Sequence, residues 1–176
     1  YTSLSQPSIN RDGRLALLAS APSISSRVIS LKGETPVIHQ RSTSEAIPPQ
    51  DLPTPYEINW TASDGETVYG IYFPPTSSRY QGSGLPPAIV LIHGGPTSSV
   101  SIGYNLEAAF FTSRGYGYLE VNYRGSTGYG RKYREALRGN WGHLDVIDAA
   151  GGAQALIDQG LADPERLVIK GGSAGG

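Results

Sequence analysis

The sequence predicts an α/β protein whose sheet is covered on both faces, preceded by a short all-β segment. Three features carry that expectation. Residues 88–92 form an uninterrupted apolar run, as expected of a strand buried on both faces. From there to residue 170, strand-like and helix-like stretches alternate, which is the pattern of a parallel sheet flanked by helices. Before the prolines at 46–55, by contrast, short apolar alternations are punctuated by turn residues, as in an antiparallel meander.

The elements follow in chain order. Asn10, Arg11, Asp12 and Gly13 form a turn, and 14–20 then reads as a strand carrying Leu15, Leu17 and Leu18. Val28 and Ile29 mark a second strand over 27–32, Gly33 turns the chain, and Val37 and Ile38 suggest a third. Three such strands cannot enclose a core by themselves, so the segment calls for neighbours. Pro48, Pro49, Pro53 and Pro55 each remove a backbone donor and fix φ, predicting a semi-rigid linker and a domain boundary near residue 50.

Beyond it, 56–60 and 67–73 alternate about Asp64 and Gly65, the signature of an antiparallel hairpin. After the strand at 88–92 come a helix over 105–113, a strand over 116–122 and a helix over 129–138. Val146, Ala150, Ala153 and Ile157 recur at helical spacing, predicting a helix over 145–159 with those four on its buried face, despite Gly151 and Gly152. Gly160 stops it, and 166–170 reads as another buried strand.

Composition excludes several function classes. Fourteen basic residues against fifteen acidic ones give no charge surplus to attract nucleic acid or an anionic membrane surface, so neither partner is expected. No apolar run approaches the roughly 20 residues that span a bilayer. The chain has no cysteine, which removes disulfides, thiolate catalysis and thiolate-bound metals. Neither a cofactor nor a metal is expected. It also has no methionine, which suggests that Tyr1 is internal to a longer protein. The cellular compartment is not fixed by these features, a cytoplasmic one being favoured.

The chemistry concentrates at the end of the chain, where LVIKGGSAGG places Gly171, Ser173 and Gly175 in a GxSxG pattern directly after a strand. A serine hydroxyl is a poor nucleophile unless it is held in the open beside a base. A sharp strand-to-helix turn, the nucleophile elbow of α/β-hydrolases, does this. GGSAGG alone has the composition of a flexible linker; the preceding strand and a second motif tell against that reading. The second motif is His93, Gly94, Gly95 and Pro96 after the strand at 88–92. In this architecture such a loop gives one N–H to the oxyanion hole, and the residue after the nucleophile gives the other. Gly95 is the first choice for the loop donor and Gly94 the second, Pro96 having no N–H; Ala174 is the partner donor. His93 is assigned a structural, hydrogen-bonding role within the loop, because the triad order of this fold is Ser, then Asp or Glu, then His. His39 and His143 also precede Ser173, so no complete triad can be assembled in that order.

The stretch 56–176 resembles the prolyl oligopeptidase family of serine peptidases, its acylaminoacyl-peptidase-like branch in particular. The matching words are SDGETVYGIYFPP from Ser63, IHGGP from Ile92, SRGYGYLEVNYRGSTGYGRKYREALRGNWGHLDVIDA from Ser113, and ADPERLVIKGGSAGG from Ala162. The resemblance implies that Ser173 is the nucleophile, with Ala174 and Gly95 lining the oxyanion hole. In the prolyl-specific and dipeptidyl branches a tyrosine stands where this chain has His93, which argues against narrow proline specificity. Residues 1 to about 45 resemble the last blade of the family's β-propeller, which restricts access to short peptides. The implied architecture is therefore the end of a β-propeller with its linker over 1–50 and the first part of an α/β-hydrolase domain over 51–176, truncated after the elbow. The family's Asp and His lie after the elbow.

Other conspicuous residues read as scaffolding. Arg124 and the loop 125–130 could suggest a phosphate cradle, but neither GK[ST] nor GxGxxG is present, and hydrogen bonding of Arg124 within its loop is preferred. Trp141 reads as a packed indole, Asp145 as a helix cap, and Tyr116, Tyr118 and Tyr123 as sheet core. The leading functional reading is a peptidase acting on peptide substrates, with homo-oligomerisation of the full-length protein left open. The alternatives are a carboxylesterase or lipase-like hydrolase on the same elbow, and a catalytically silent truncated binding module. The 176 residues alone are expected to be inactive.

Overall fold

The computed structural model describes residues 1–176 and contains two sheets. The first is four-stranded and antiparallel: β1 (Ser3–Ile9), β2 (Leu15–Ala21), β3 (Ile24–Leu31) and β4 (Pro36–Arg41), in sequential order. β1 is one strand more than the sequence predicts. Its SLSQPSI run is polar and interrupted by Pro7, and it is accommodated by a register shift against β2 between Ser5 and Ser8, with Gln6 at φ +52°. The apolar cluster of this sheet is small, Leu17, Ala19 and Ile29, with Ala21 of β2 also buried. Glu45 closes the segment by accepting from the N–H and hydroxyl of Ser25 and pairing with Arg27. The proline-rich stretch lies packed down: Leu52, Pro53 and Pro55 are buried, and the Asp51 carboxylate accepts the N–H of Ser78 at 2.6 Å.

The second sheet contains β5 (Tyr56–Thr61), β6 (Thr67–Phe73), β7 (Ala88–Ile92), β8 (Gly117–Asn122) and β9 (Leu167–Gly171) in the order β5-β6-β8-β7-β9. The β5–β6 hairpin and the β6–β8 pair are antiparallel, whereas β8–β7 and β7–β9 are parallel. Parallel neighbours require crossovers, and α1 (Leu106–Thr112) lies between β7 and β8 in the chain. Asn105 caps α1 by accepting the N–H of Ala108 at 2.9 Å. α2 (Gly130–Glu135) is shorter than predicted and ends in turns. α3 (Leu144–Asp158) covers one face of the sheet over Trp60, Val90, Leu119 and Val121, while α1 covers the other through Ala108 and Phe111.

Two expectations about these elements are corrected. The buried face of α3 is Asp148, Ala149, Gly152, Ala155 and Leu156, whereas Val146 and Ala150 are exposed. The two helical glycines are the reason, because they form the packing surface itself: a β-carbon on Gly151 would come within 2.8 Å of the Trp60 indole nitrogen, and one on Gly152 within 3.0 Å of the indole ring. A periodicity count that looks only for large apolar side chains misses a face made of glycine and alanine. The second correction concerns β9, which is the outermost strand of its sheet, with Val168 and Ile169 exposed.

The sheets meet through the segment after β7. The Thr2 hydroxyl donates to the carbonyl of Ile102 at 2.5 Å, and Gly103 approaches Ser20 closely enough that a β-carbon would sit 3.2 Å from its hydroxyl oxygen. No helix is long and apolar enough to cross a membrane.

Candidate active site

The GxSxG glycines are fixed by contact. At Gly171 a β-carbon would lie 1.7 Å from the Gly175 carbonyl oxygen, and at Gly175 it would lie 2.3 Å from the carbonyl oxygen of Ile92 and 2.8 Å from that of His93. No side chain fits either position, so the chain turns back on itself with bare backbone against backbone. Ser173, between them, has φ +58°, left-handed geometry that costs a non-glycine residue of order 1–3 kcal/mol. It is exposed, and a single helical turn follows, with the N–H of Gly175 donating to the Gly172 carbonyl at 3.0 Å. Strand β9 thus delivers Ser173 to the sheet's C-terminal rim in a strained, open conformation.

The parallel register sets Ile92 beside Gly171, so the 93–95 loop leaves the sheet at the level of the elbow. Gly94 borders it directly: a β-carbon there would stand 3.0 Å from the Gly172 carbonyl oxygen, 3.2 Å from the Ser173 β-carbon and 3.7 Å from its hydroxyl oxygen. Gly95 is exposed at φ +135°. The N–H groups of Gly94 and Gly95 donate no hydrogen bond within the chain. Ala174 lies inside the one helical turn, where backbone donors have no intrahelical partner. Serine hydroxyl and candidate donors therefore converge on one rim.

His93 is tied into the loop. Its Nδ1 is 2.7 Å from the Gly94 carbonyl oxygen and its Nε2 is 2.8 Å from the Ser126 hydroxyl. A carbonyl can only accept, so Nδ1 carries the hydrogen. Burial pushes the His93 pKa below its ordinary value, partly offset by that bond, and the neutral ring stacks on Tyr123 at 4.6 Å. Tyr123 in turn donates its hydroxyl to the His93 carbonyl at 2.9 Å, and burial pushes its own pKa up to about 12. His39 is engaged by Ser30 in the first sheet, and His143 is exposed at the start of α3. None of the three histidines hydrogen-bonds Ser173.

The guanidinium of Arg124 is taken up by two carboxylates, and these lie outside its own loop. Its guanidinium bonds Asp148 of α3 at 2.6–3.1 Å and Asp64 of the β5–β6 turn at 2.5 Å, and its N–H donates to Asp148 as well. Both Arg124 and Asp148 are buried. These bonds raise the guanidinium pKa and hold the Asp64 carboxyl below its ordinary range. Trp141 is exposed rather than packed, and Asp145 lies in the first turn of α3, its carboxylate accepting only from its neighbour Val146. Tyr118 and Tyr123 are core and Tyr116 half-buried beside it. Ser126 and Asp148 escaped the sequence reading, neither carrying a local pattern that marks it. No group of His, Cys, Asp or Glu is arranged to hold a metal ion.

The sequence profile of the prolyl oligopeptidase family matches residues 102–176. Puromycin hydrolase has a solved structure that superposes on 99% of this chain with a TM-score of 0.92 at 41% identity. Over residues 102–176 the chain is similar to the prolyl oligopeptidase family. A puromycin-hydrolysing peptidase from Mycobacterium tuberculosis superposes on 92% of the chain with a TM-score of 0.88 at 42% identity. The acylamino-acid-releasing enzyme of Arabidopsis thaliana is 38% identical over 109 residues, 62% of this chain. Dipeptidyl aminopeptidase BIII of Pseudoxanthomonas mexicana is 36% identical over 129 residues, 69% of this chain. The chain spans 14% and 18% of the lengths of these two relatives, and 27% and 26% of the two solved structures. Within this peptidase family the second sheet is an α/β-hydrolase sheet and the first is a β-propeller blade.

Proposed function

We propose that this chain is the nucleophile-bearing part of a serine peptidase that cleaves short peptides through an acyl-enzyme on Ser173. The observation that carries the reading is the left-handed, exposed Ser173 between two glycines that admit no side chain, bordered by a loop with unspent N–H groups. Residues 1–50 are assigned to the end of the propeller and its linker, and residues 51–176 to the catalytic domain. Relatives in the family hydrolyse puromycin or release acylated or dipeptide units, as their names state, and amide cleavage is the common chemistry.

In this reading the Ser173 hydroxyl attacks the substrate carbonyl carbon and its proton passes to a histidine outside these 176 residues. The carbonyl oxygen becomes an oxyanion facing the N–H groups of Gly95 and Ala174, with Gly94 as the alternative loop donor. Collapse of the tetrahedral adduct breaks the C–N bond, and the histidine returns its proton to the leaving amine. Water, deprotonated by the same histidine, then releases the acid and restores the serine. The 176 residues alone hold no such base beside Ser173 and are assigned no turnover.

A fluorophosphonate probe applied to the full-length protein tests the assignment: labelling is expected in the wild type and absent in Ser173→Ala. Labelling that survives the substitution refutes it. Turnover of short acyl esters without turnover of peptide anilides would move the protein to the esterases.

A further inference from the structure

The hydroxyl of Ser126 is buried and lies between two acceptors, the Nε2 of His93 at 2.8 Å and the carbonyl of Tyr123 at 2.6 Å. Its N–H also donates to the Tyr123 carbonyl, at 2.9 Å, so a tight turn fixes the position of the side chain. Because Nδ1 of His93 donates to the Gly94 carbonyl, the neutral ring has only a lone pair at Nε2, and the one hydrogen available to it is that of the Ser126 hydroxyl, which also points to the Tyr123 carbonyl. The Tyr123 carbonyl is the nearer acceptor of that hydrogen and Nε2 the farther one, in a three-centre arrangement. Tyr123 restrains the ring's face by stacking and the loop backbone by its hydroxyl. Neither contact distinguishes one ring nitrogen from the other. Ser126 does.

The peptide unit joining Gly94 to Gly95 is trans, so its C=O and N–H point in opposite directions. A carbonyl drawn to His93 turns the Gly95 N–H away from the imidazole, and that N–H has no other partner in the chain. We infer that Ser126 is a positioning residue for the proposed reaction: by sharing its hydrogen with Nε2 it supports the tautomer of His93 that grips the Gly94 carbonyl, and so aims the Gly95 N–H. The inference rests on the assignment of Ser173 as nucleophile and adds a residue that touches neither substrate nor nucleophile.

The consequence is a rate effect without a binding effect. Removing an oxyanion donor costs about two to three powers of ten in rate, and mis-aiming one forfeits part of that. In the full-length protein, Ser126→Ala is expected to lower kcat for a peptide anilide about 10- to 100-fold while KM stays within about twofold, as for an interaction made only in the transition state. Ser126→Thr restores most of the loss. Ser126→Cys, of similar size but a weaker donor, falls between and covers the case in which alanine impairs folding. With histidine labelled by 15N, the His93 resonances are expected to report the Nδ1–H tautomer in the wild type and a mixture in Ser126→Cys. Wild-type kcat in both Ser126→Ala and Ser126→Cys, or an unchanged His93 tautomer, overturns the inference. Such a result beside normal fluorophosphonate labelling of Ser173 leaves the peptidase assignment standing; absent labelling of the wild type would remove that assignment instead.

Discussion

Gly172 and Gly175 flank the same serine, yet physical chemistry assigns them opposite tolerances. Gly172 is extended at φ −160°, and a β-carbon on it would meet nothing within 4 Å. A β-carbon on Gly175 would overlap two carbonyl oxygens of the 92–93 backbone. Gly172→Ala is therefore expected to keep the acylation rate within about twofold, while Gly175→Ala lowers it at least about 100-fold, the scale for an ångström of displacement at a reacting group. Stopped-flow acylation by an active-site titrant measures both. The motif was readable from the sequence because its glycines obey this steric rule. Ser126 was not readable: a serine in a glycine-rich loop carries no local pattern, and only the fold brings it to a histidine 33 positions earlier.

At the scale of single elements, α3 shows how far a pattern can mislead. Alanine in place of a helical glycine usually stabilises by about 0.8–1 kcal/mol. At Gly152 the added methyl would press within 3.0 Å of the Trp60 ring and 3.2 Å of Val121, both in the core. Overpacking of that kind typically costs 1–3 kcal/mol, so Gly152→Ala is expected to destabilise by about 1–2 kcal/mol net, as read from the urea midpoint. An unchanged or raised midpoint would mean that the indole shifts freely. Strand positions were largely legible, because β7 is wholly apolar, β8 carries Tyr118, Leu119 and Val121, and both are bounded by turn residues. β1 was illegible because its polar sequence is recruited by backbone pairing to β2 rather than by any apolar face. The orientation of α3 was illegible for a different reason: Asp148 is buried for its bonds to Arg124, which hydrophobic periodicity scores as a solvent position.

For the molecule as a whole, the join between the two sheets contains a carboxyl group under unusual constraint. Glu120 on β8 is buried at a cavity of about 530 Å³ lined by Ser3, Ser20 and Ser42 from the blade and by Tyr104 and Asn105 from the other side. Burial is the largest influence on it and pushes its pKa from 4.5 to about 7, against a lowering hydrogen bond from Asn105; the neighbouring Glu107 carboxylate adds to the rise. A folded-state pKa above the unfolded one means that the native protein holds the proton more tightly. The associated stability is complete below about pH 4.5 and is lost as pH rises to about 7, up to about 3 kcal/mol at 1.36 kcal/mol per unit. The carboxyls of Asp64, Glu107 and Asp163 are shifted the opposite way and favour folding above their unfolded pKa values, opposing this trend at the acid end. Glu120→Gln is expected to flatten the fall in Tm between pH 5 and 8; an equal fall in both proteins would remove Glu120 as its source.

The outermost position of β9 has a consequence for how the polypeptide behaves before anything covers it. Its outward N–H and C=O groups and its Val168 and Ile169 side chains form an adhesive rim, able to template the addition of a strand from another molecule. The strand that presents Ser173 is thus one of the two outer edges of its sheet, β5 being the other.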